Sequence, residues 1–353
     1  MNHIKGLCTL LSSLDAEALL LTSEISQRYA TGFPFSDGFV VITEGESWLV
    51  TDFRYQEEAT RRCRDAFTVV APPSQSEFLR ELFSEKGISR VGLEDKTLSH
   101  ANYQTLTDLL GITPIPIGEG IEALRAVKDS GEIAAVRRAQ ALTDAAFSHI
   151  LSALTPKMTE VEVALELEFF MRRAGADGIA FPTIAVSGTS SSLPHGVPAR
   201  TPLSRGFLTM DFGAVVDGYA SDMTRTVVLG KATAEMKRLY ATVLEAQRRG
   251  MEAIAAGVDA TLVDGAARSH IDAEGYRGLF GHSFGHGVGL EVHEAPRLSS
   301  RVRSPLVAGN VVTAEPGIYQ PGIGGCRIEN MGVVTENGFD VFTASTTELI
   351  ELF

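Results

Sequence analysis

Leu208-Thr209-Met210-Asp211-Phe212-Gly213 begins the stretch from which we deduce the fold, and it continues through Val215-Val216-Asp217-Gly218-Tyr219 to Ala220-Ser221-Asp222-Met223-Thr224-Arg225-Thr226. The first and last of these runs have the apolar and β-branched residues typical of strands. An Asp-Gly pair between two such runs often marks a hairpin. We therefore predict a hairpin that brings Asp211 and Asp222 onto neighbouring strands.

Helical patterns lie apart from these strands in the second part of the chain. Asp129 with Glu132 has the spacing of a capping box at a helix start, and Thr159 with Glu162 repeats it. A helical period of apolar residues also runs from 235 to 255. The other strand-like runs are 183–187, 311–318 and 327–335. Helices separated from hairpin-forming strands indicate an α+β fold with a curved antiparallel sheet.

The first part of the chain has a different pattern, in which short apolar runs alternate with helical ones. Its strand-like runs are 16–22, 38–43, 47–51, 67–71 and 90–94. This alternation predicts a smaller α/β domain over residues 1–120. Prolines and glycines between Gly111 and Gly120 are typical of a linker. We therefore expect a second domain over residues 121–353.

Composition excludes several classes of function. The 353 residues carry a formal charge of -13, which repels the phosphate backbone and argues against nucleic acid as a partner. The N-terminus lacks a signal-peptide pattern and no apolar run is long enough to cross a membrane, so we expect a cytoplasmic protein with no membrane partner. The three cysteines are far apart, which argues against a disulfide framework and a thiolate metal site.

Acidic residues recur inside the strand-like runs. An ionised carboxylate such as Asp211 in an apolar strand costs several kcal/mol unless it is paired or bound to metal. Glu315 and Glu329 lie in similar runs, so four carboxylates with Asp222 carry four negative charges. Two divalent cations would neutralise them, with a neutral His286 as fifth ligand. Such oxygen and imidazole ligands suit manganese, cobalt or zinc, and a dinuclear pair can activate water near neutral pH.

The run Gly281-His282-Ser283-Phe284-Gly285-His286-Gly287-Val288-Gly289-Leu290-Glu291-Val292-His293-Glu294 places three histidines among glycines. Histidine can bind a metal, transfer protons or stabilise an oxyanion, and the run alone does not choose among these roles. A phosphate-binding loop is disfavoured because no Gly-Lys-Ser/Thr follows, and glycines would break the helix of a His-Glu-x-x-His zinc site. We expect the glycines to let one strand pass close to the metals.

The order of four acids and one histidine resembles the metal set of the pita-bread metallopeptidases, which include methionine aminopeptidase, aminopeptidase P and prolidase. The segments most like the Xaa-Pro peptidases of this family are His195-Gly196-Val197-Pro198, Asp211-Phe212-Gly213-Ala214, Ser221-Asp222-Met223-Thr224-Arg225-Thr226, Gly285-His286-Gly287-Val288-Gly289, Val292-His293-Glu294 and Glu315-Pro316-Gly317-Ile318-Tyr319. The N-terminal segments Tyr29-Ala30-Thr31-Gly32-Phe33 and Thr51-Asp52-Phe53-Arg54-Tyr55 are similar to the creatinase-like domain that precedes the catalytic domain in this subgroup.

The resemblance implies a homodimeric enzyme that uses two divalent metal ions, with manganese preferred over cobalt or zinc. Its substrate would be a small peptide with proline in second position, cleaved before proline either in dipeptides or at peptide N-termini. The implied metal ligands are Asp211, Asp222, His286, Glu315 and Glu329. The implied catalytic residues are His195, His293 and Glu315, where the histidines hold the tetrahedral oxyanion and Glu315 moves a proton. The implied substrate-binding residues are His282 and Arg327.

Two alternatives follow from the same resemblance, namely a non-catalytic peptide-binding protein on this fold and a metal-independent hydrolase like creatinase. All five ligand positions are intact, which argues against both. One position departs from the family, because Asn330 stands where aspartate often follows the last metal-binding glutamate. Its side chain should point to the opposite strand face from Glu329, so we expect it to tune the centre without abolishing it.

Overall fold

The alternating runs of the first part of the chain form a mixed sheet packed with helices, in a computed structural model that describes residues 3–353. Contacts divide the chain between Arg125 and Ala126. The helices of the first unit are α1 (Ile4–Ser13), α2 (Glu24–Thr31), α3 (Phe53–Cys63), α4 (Gln75–Lys86), α5 (His100–Leu110) and α6 (Gly120–Ala126), whose last residue belongs to the second unit. Its strands are β1 (Ala18–Leu21), β2 (Phe39–Ile42), β3 (Ser47–Val50), β4 (Thr68–Val70), β5 (Arg90–Leu93) and β6 (Thr113–Pro116).

The sheet of this unit has the order β4-β3-β2-β1-β5-β6 in the described part of the chain. Its core joins strand residues such as Leu20 and Val41 to Phe83 on α4 and Leu106 on α5. The five strand-like runs are confirmed, but the linker prediction was wrong over 113–116, which form β6. The two prolines of β6 are tolerated because the strand lies at the sheet edge, where their missing N–H groups are not needed.

The predicted hairpin lies in the second unit. The helices there are α7 (Ser130–Ala153), α8 (Glu160–Arg173), α9 (Ala234–Glu252) and α10 (Ala260–Ile271). Its strands are β7 (Gly178–Ile179), β8 (Ile184–Ser187), β9 (Gly206–Phe212), β10 (Ala214–Val216), β11 (Tyr219–Ala220), β12 (Met223–Leu229), β13 (Gly285–Gly287), β14 (Glu294–Leu298), β15 (Val311–Ala314), β16 (Gly317–Gln320), β17 (Gly324–Arg327), β18 (Asn330–Thr335), β19 (Gly338–Val341) and β20 (Glu351–Leu352). Both predicted capping boxes are present, at the starts of α7 and α8.

The strands of the second unit form antiparallel sheets, apart from the parallel pair β12–β20. Their orders are β20-β12-β9-β8, β14-β13-β15-β18-β19, β11-β10-β7 and β16-β17. Helices α7 and α8 pack against the first sheet through residues such as Phe147 and Met210. Helices α9 and α10 pack against the second through residues such as Val243 and Val312. The α+β fold with a curved antiparallel sheet is thus confirmed.

Three strand-like runs are broken where they carry acidic residues, and one of these breaks holds Asp222 between β11 and β12. The prediction of continuous strands over 311–318 and 327–335 was wrong, since β15 and β16 are separated by Glu315 and Pro316 and β17 ends before Ile328 and Glu329. Proline cannot donate a ladder hydrogen bond, and beyond each break the chain pairs in a different sheet. Glu315 and Glu329 therefore lie where the sheets meet. Across residues 3–353, no helix has the length and hydrophobicity needed to span a bilayer.

Candidate metal centre and active site

The five predicted metal ligands all line one cavity of about 720 Å³. Asp211 lies on β9 and is paired with Thr224 of β12, and Asp222 directly precedes β12, as the predicted hairpin requires. His286 is the central residue of β13. With Glu315 and Glu329 in the strand breaks, the fold brings together all five residues that the sequence analysis selected.

The distances within this cluster are those of groups that share a small space. His286 Nε2 lies 3.2 Å from Glu315 Oε1 and 3.6 Å from Asp222 Oδ2. One ligand atom each from Asp222, His286 and Glu329 fit within 4.8 Å of one another. These three side chains are buried, so water contributes little to balancing their charges.

Unpaired acceptor atoms show that the donor set fits a cation. Asp211 Oδ1 and Glu329 Oε1 are buried, and neither has a hydrogen-bond partner among residues 3–353. The other oxygen of each carboxylate is occupied, by Arg327 at 2.6 Å for Asp211 and by the Thr224 hydroxyl at 2.7 Å for Glu329. One oxygen per carboxylate is therefore held in place by the protein while the other remains available, as in sites whose ligands are oriented by their neighbours.

The pKa shifts of the carboxylates in the metal-free cluster also indicate a site that suits cations. Burial and the neighbouring carboxylates, above all Glu329, raise the pKa of Asp222 well above its usual value. Burial and Glu315 do the same to the pKa of Glu329. Burial also acts to raise the pKa of Glu315, but hydrogen bonding and charge from His286 outweigh it and lower this pKa to about 2. The carboxylates repel one another strongly enough that cations would be the natural counter-charge.

The tautomer of His286 follows from its contacts. Its Nδ1 lies 3.1 Å from the Gly287 carbonyl oxygen, which can only accept, so Nδ1 carries a proton. In the neutral ring Nε2 then has a free lone pair directed toward Asp222 and Glu315. In the metal-free protein the carboxylates compensate for burial, which acts to lower the pKa of His286, and the net pKa is raised.

The glycines of the Gly-His run serve packing between strands. A Cβ at Gly285 would overlap the backbone of Thr313 on β15, and one at Gly287 would overlap the backbone of Ala295 on β14. These contacts give Gly285 and Gly287 a reason in strand packing, and the expectation that the glycines bring the strand close to the metals stays a prediction. They let β13 fit between its two neighbours, and this fit sets the position of His286.

A hydrogen-bond chain beside the carboxylates includes two side chains that the sequence analysis did not select, Tyr319 and Thr224. Arg327 is buried and donates to Asp211 Oδ2, to Thr224 Oγ1 at 2.9 Å and to the Tyr319 hydroxyl at 2.7 Å. His282 Nδ1 lies 2.9 Å from the Ser283 carbonyl and so carries a proton, which leaves Nε2 to accept from Tyr319 at 2.8 Å. Tyr319 was part of a quoted motif, but only the fold shows its partners.

These contacts change the view of Arg327. Its prediction as a substrate-binding residue remains untested, yet its hydrogen bonds to protein atoms include one to the Pro194 carbonyl as well. The geometry therefore favours a role in holding Asp211 over direct contact with substrate. His282 does line the cavity, and burial lowers its pKa, which keeps the ring neutral.

The open side of the cavity is lined by His195 and His293, both exposed. The His293 ring packs edge-on against His286 with centroids 4.4 Å apart. Burial, followed by the nearby His286, lowers the pKa of His293. The predicted catalytic histidines thus lie at the same cavity as the proposed metal ligands.

Arg297 is a further residue of the cavity that sequence reasoning missed. It pairs directly with His286 across β13 and β14, and side chains of directly paired residues lie on the same face of a sheet. The Arg297 guanidinium makes no hydrogen bond or ion pair with any residue between 3 and 353. In the sequence Arg297 stands four residues after His293, but this spacing indicates a place at the cavity only when the pairing of β13 with β14 is known.

Comparisons with known protein families agree with this geometry. Residues 134–336 match the family model for metallopeptidase family M24, and residues 3–127 match the Creatinase/Prolidase N-terminal domain. An uncharacterized peptidase of Bacillus subtilis (strain 168) is 41% identical over 99% of each chain.

Several solved structures are similar to this chain over nearly its whole length. The chain is similar to an Xaa-Pro dipeptidase from Bacillus anthracis, with 41% identity, a TM-score of 0.95 and 99% of both chains covered. It is also similar to an X-Pro aminopeptidase from Thermotoga maritima MSB8, with 35% identity, a TM-score of 0.92 and coverage of 98% and 100%. The prolidase from Pyrococcus horikoshii OT3 is 34% identical, with a TM-score of 0.92 and coverage of 98% and 99%.

Proposed function

The chain belongs to metallopeptidase family M24, and from this premise we propose that it hydrolyses the peptide bond before proline in Xaa-Pro dipeptides, using two divalent metal ions. The observation that carries the proposal is the cluster of four carboxylates and His286 lining one cavity. In this proposal Asp211, Asp222, His286, Glu315 and Glu329 would together hold the two ions. Manganese is the preferred ion, with cobalt or zinc as alternatives.

The proposed reaction divides the work between the ions and the side chains. Divalent ions in such a pair lower the pKa of water and polarise a substrate carbonyl near neutral pH. Glu315 accepts the proton of the attacking water and returns it to the proline nitrogen as the C–N bond breaks. In the metal-free protein its pKa of about 2 keeps the carboxylate ionised, which is the form that accepts a proton, but makes it a weak base. The role therefore rests on its place among the predicted metal ligands and not on this pKa.

His293 and His195 face the other side of the reacting bond in this proposal. Each donates an N–H to the carbonyl oxygen as negative charge develops there, which stabilises the transition state more than the substrate. The lowered pKa of His293 is compatible with this role, since neutral imidazole still carries one N–H.

The remaining lining of the cavity suits proline as the second residue of the substrate. A peptide bond to proline is a tertiary amide without an N–H, so its pocket needs apolar space for the ring and no acceptor at the nitrogen. Phe181, Ile184 and Val292 supply apolar surface along the cavity. We infer that the ring binds there, which leaves the substrate carboxylate to be recognised by a cation.

Arg297 is the cation that favours dipeptides over longer peptides. It is exposed at the cavity and has no described protein partner, whereas Arg327 is buried and bonded to Asp211. A guanidinium can bind a carboxylate through two parallel hydrogen bonds. In a dipeptide the free carboxylate belongs to proline itself, so its distance from the cleaved bond is fixed. In a tripeptide it lies one residue further away.

The test combines metal counting with substrate choice. Metal-free protein is titrated with manganese, the ions bound per chain are counted by mass spectrometry, and hydrolysis of an Xaa-Pro dipeptide is compared with that of an Xaa-Pro-Yaa tripeptide. We expect two ions per chain, faster dipeptide hydrolysis and complete loss of activity on chelation. Activity that persists after complete metal removal would overturn the mechanism, and a preference for the tripeptide would overturn the dipeptide assignment.

A matched pair of variants separates the metal site from the hairpin that carries it. Asp222→Asn should abolish turnover, because it removes one of the carboxylates that hold the ions. Asp217→Asn changes an exposed acid at the tip of the same hairpin, where φ is 52° and asparagine is tolerated. This control should retain activity and bind the same number of ions as the unmodified enzyme.

A further inference from the structure

A buried ion pair lies directly beside the loop that carries His293. Lys128 Nζ is 2.5 Å from Glu294 Oε1, and the two side chains are only 1% and 6% exposed. Glu294 is the residue after His293, and Lys128 lies just before α7. No step of the proposed reaction uses either residue.

The carboxylate of Glu294 organises the turn from Gly289 to Glu294. The Glu291 N–H is directed at Glu294 Oε2 over 3.4 Å, and the Gly289 N–H donates to the Glu291 carbonyl at 2.9 Å. A Cβ at Gly289 would overlap the Glu294 carboxylate, so the turn closes tightly around this group. The Gly289 carbonyl also accepts from the Ala220 N–H at 2.8 Å, which links the turn to the strand preceding Asp222.

Lys128 is itself on a rigid support. Its backbone N–H donates to the Gly309 carbonyl at 2.9 Å, and the preceding Val127 forms a bridge with Asn310. The following Asp129 caps α7 with a full capping box. The ammonium group therefore has a fixed position, against which the Glu294 carboxylate is held.

His293 has no comparable support of its own. Its imidazole makes no hydrogen bond within residues 3–353, and its ring contact is with His286. The place of the ring is therefore set by the backbone of its turn. A buried ion pair adds little stability beyond that of apolar residues of similar volume, whereas its charged geometry fixes position.

We propose that Glu294, anchored by Lys128, is a positioning residue that holds His293 at the reacting carbonyl. The inference rests on the proposed function, because it takes the transition-state role of His293 from there. It predicts that loss of the Glu294 charge matters for catalysis only as long as His293 is present.

The test is a double-mutant cycle on the manganese-loaded full-length enzyme with an Xaa-Pro dipeptide. Glu294→Gln should lower kcat by about tenfold or more, with KM changed by less than about twofold. In the His293→Ala background the same substitution should lower kcat by less than about twofold, because the group that it positions is gone. Equal losses in both backgrounds would overturn the proposal.

Arg268→Gln is the matched control at the other end of the Gly-His run. Arg268 pairs with buried Asp264 at 2.7 Å and donates to the His282 carbonyl at 2.8 Å, so this variant loosens the same run without touching the His293 turn. Its effect on kcat should be equal with and without His293. If Arg268→Gln were coupled to His293→Ala as strongly as Glu294→Gln is, the proposal would be overturned, since the effect would then come from a general loosening of the Gly-His run.

Hydrogen exchange on the metal-free protein gives a readout that does not depend on activity. Glu294→Gln should speed exchange in residues 288–293 and leave 281–284 unchanged, and the reverse should hold for Arg268→Gln. A uniform change in both segments would contradict the proposal.

Should Glu294→Gln not fold because it isolates the Lys128 charge, Lys128→Met combined with Glu294→Gln removes both charges and serves in the same cycle. If His293→Ala retains full kcat, the assigned role of His293 fails and this inference with it. If His293→Ala lowers kcat but the losses of His293→Ala and Glu294→Gln are additive, the inference about Glu294 fails while the proposed role of His293 stands.

Discussion

Arg225 donates a hydrogen bond of 2.8 Å from Nη2 to Asn330 Oδ1. Arg225 is only 1% exposed, and the hydrogen bonds that its side chain makes with the described residues all end on uncharged oxygens, including the carbonyls of Glu329 and Thr346. Burial lowers the pKa of Arg225 to about 10. The Asn330 side chain thus contacts Arg225 while the Glu329 carboxylate binds Thr224, which agrees with the predicted opposite faces.

Asn330→Asp should stabilise the metal-free protein. Asn330 already accepts a hydrogen bond from a charged guanidinium. The substitution adds the second charge and makes a buried ion pair, which should gain about 1 kcal/mol because Arg225 is already buried among uncharged acceptors. Chemical denaturation with metal removed measures the change in the free energy of unfolding. Asn330→Ala is the control, and it should lose about 1–3 kcal/mol because an Arg225 donor loses its partner. An Asn330→Asp protein less stable than the unmodified protein would contradict this account.

Arg297→Gln should weaken dipeptide binding selectively. Loss of a charge-assisted contact to the substrate carboxylate costs about 1.5–3 kcal/mol, so KM for an Xaa-Pro dipeptide should rise about tenfold or more. KM for a tripeptide should change by less than about twofold, because its carboxylate lies elsewhere. Steady-state kinetics on both substrates measure this. Arg297→Lys should restore part of the dipeptide affinity, and equal losses for both peptides would remove Arg297 from substrate recognition.

The residues of the candidate metal centre could be selected from the sequence because much of the reason for selecting them is local. An acid within an apolar strand needs a partner wherever the strand lies. Asp211 shows this pattern directly, while Glu315 and Glu329 show it only as acids in apolar runs of the sequence, because the structure places them in breaks between strands. The hairpin at Asp217 also follows from its two residues, since type I′ turns require positive φ there. The assignment of these residues as ligands stays a prediction, as does the homodimer.

The residues that sequence reasoning missed act through distant partners. Tyr319 bonds Arg327 and His282, and Lys128 meets Glu294 across more than half of the second unit's sequence. Such pairs depend on strand register and on which helix start lies against which loop, and neither has a local signature. The breaks at Glu315 and Glu329 were missed for the same reason, because they arise where a strand changes its sheet.

Tyr319→Phe should raise the pKa of His282 toward its ordinary value. The Tyr319 hydroxyl donates to His282 Nε2 and so stabilises the neutral ring, while burial is the largest influence that lowers this pKa. Nuclear magnetic resonance titration of the metal-free protein follows the His282 ring, and kcat of the loaded enzyme should fall about tenfold. Tyr240→Phe is the matched control, since its hydroxyl donates to the Thr347 carbonyl. The same His282 shift in both variants would contradict the proposed chain.

Metal-free protein should become less stable as pH rises from about 5 to about 8. The pKa values of Asp222 and Glu329 are raised by burial and by neighbouring carboxylates, so the folded state keeps protons that the unfolded chain has released. Their stabilising contribution is complete below the unfolded pKa and is lost as pH rises through the folded pKa. The raised pKa of His286 acts in the same direction, while the pKa of about 2 for Glu315 matters only in stronger acid. The urea concentration at the midpoint of unfolding, measured at several pH values in this range with a chelator present, gives the slope of stability against pH. Asp222→Asn with Glu329→Gln should flatten it, and saturating manganese should reverse it, because a cation binds the ionised carboxylates of the folded state. A slope unchanged in the double variant would place the responsible protons elsewhere.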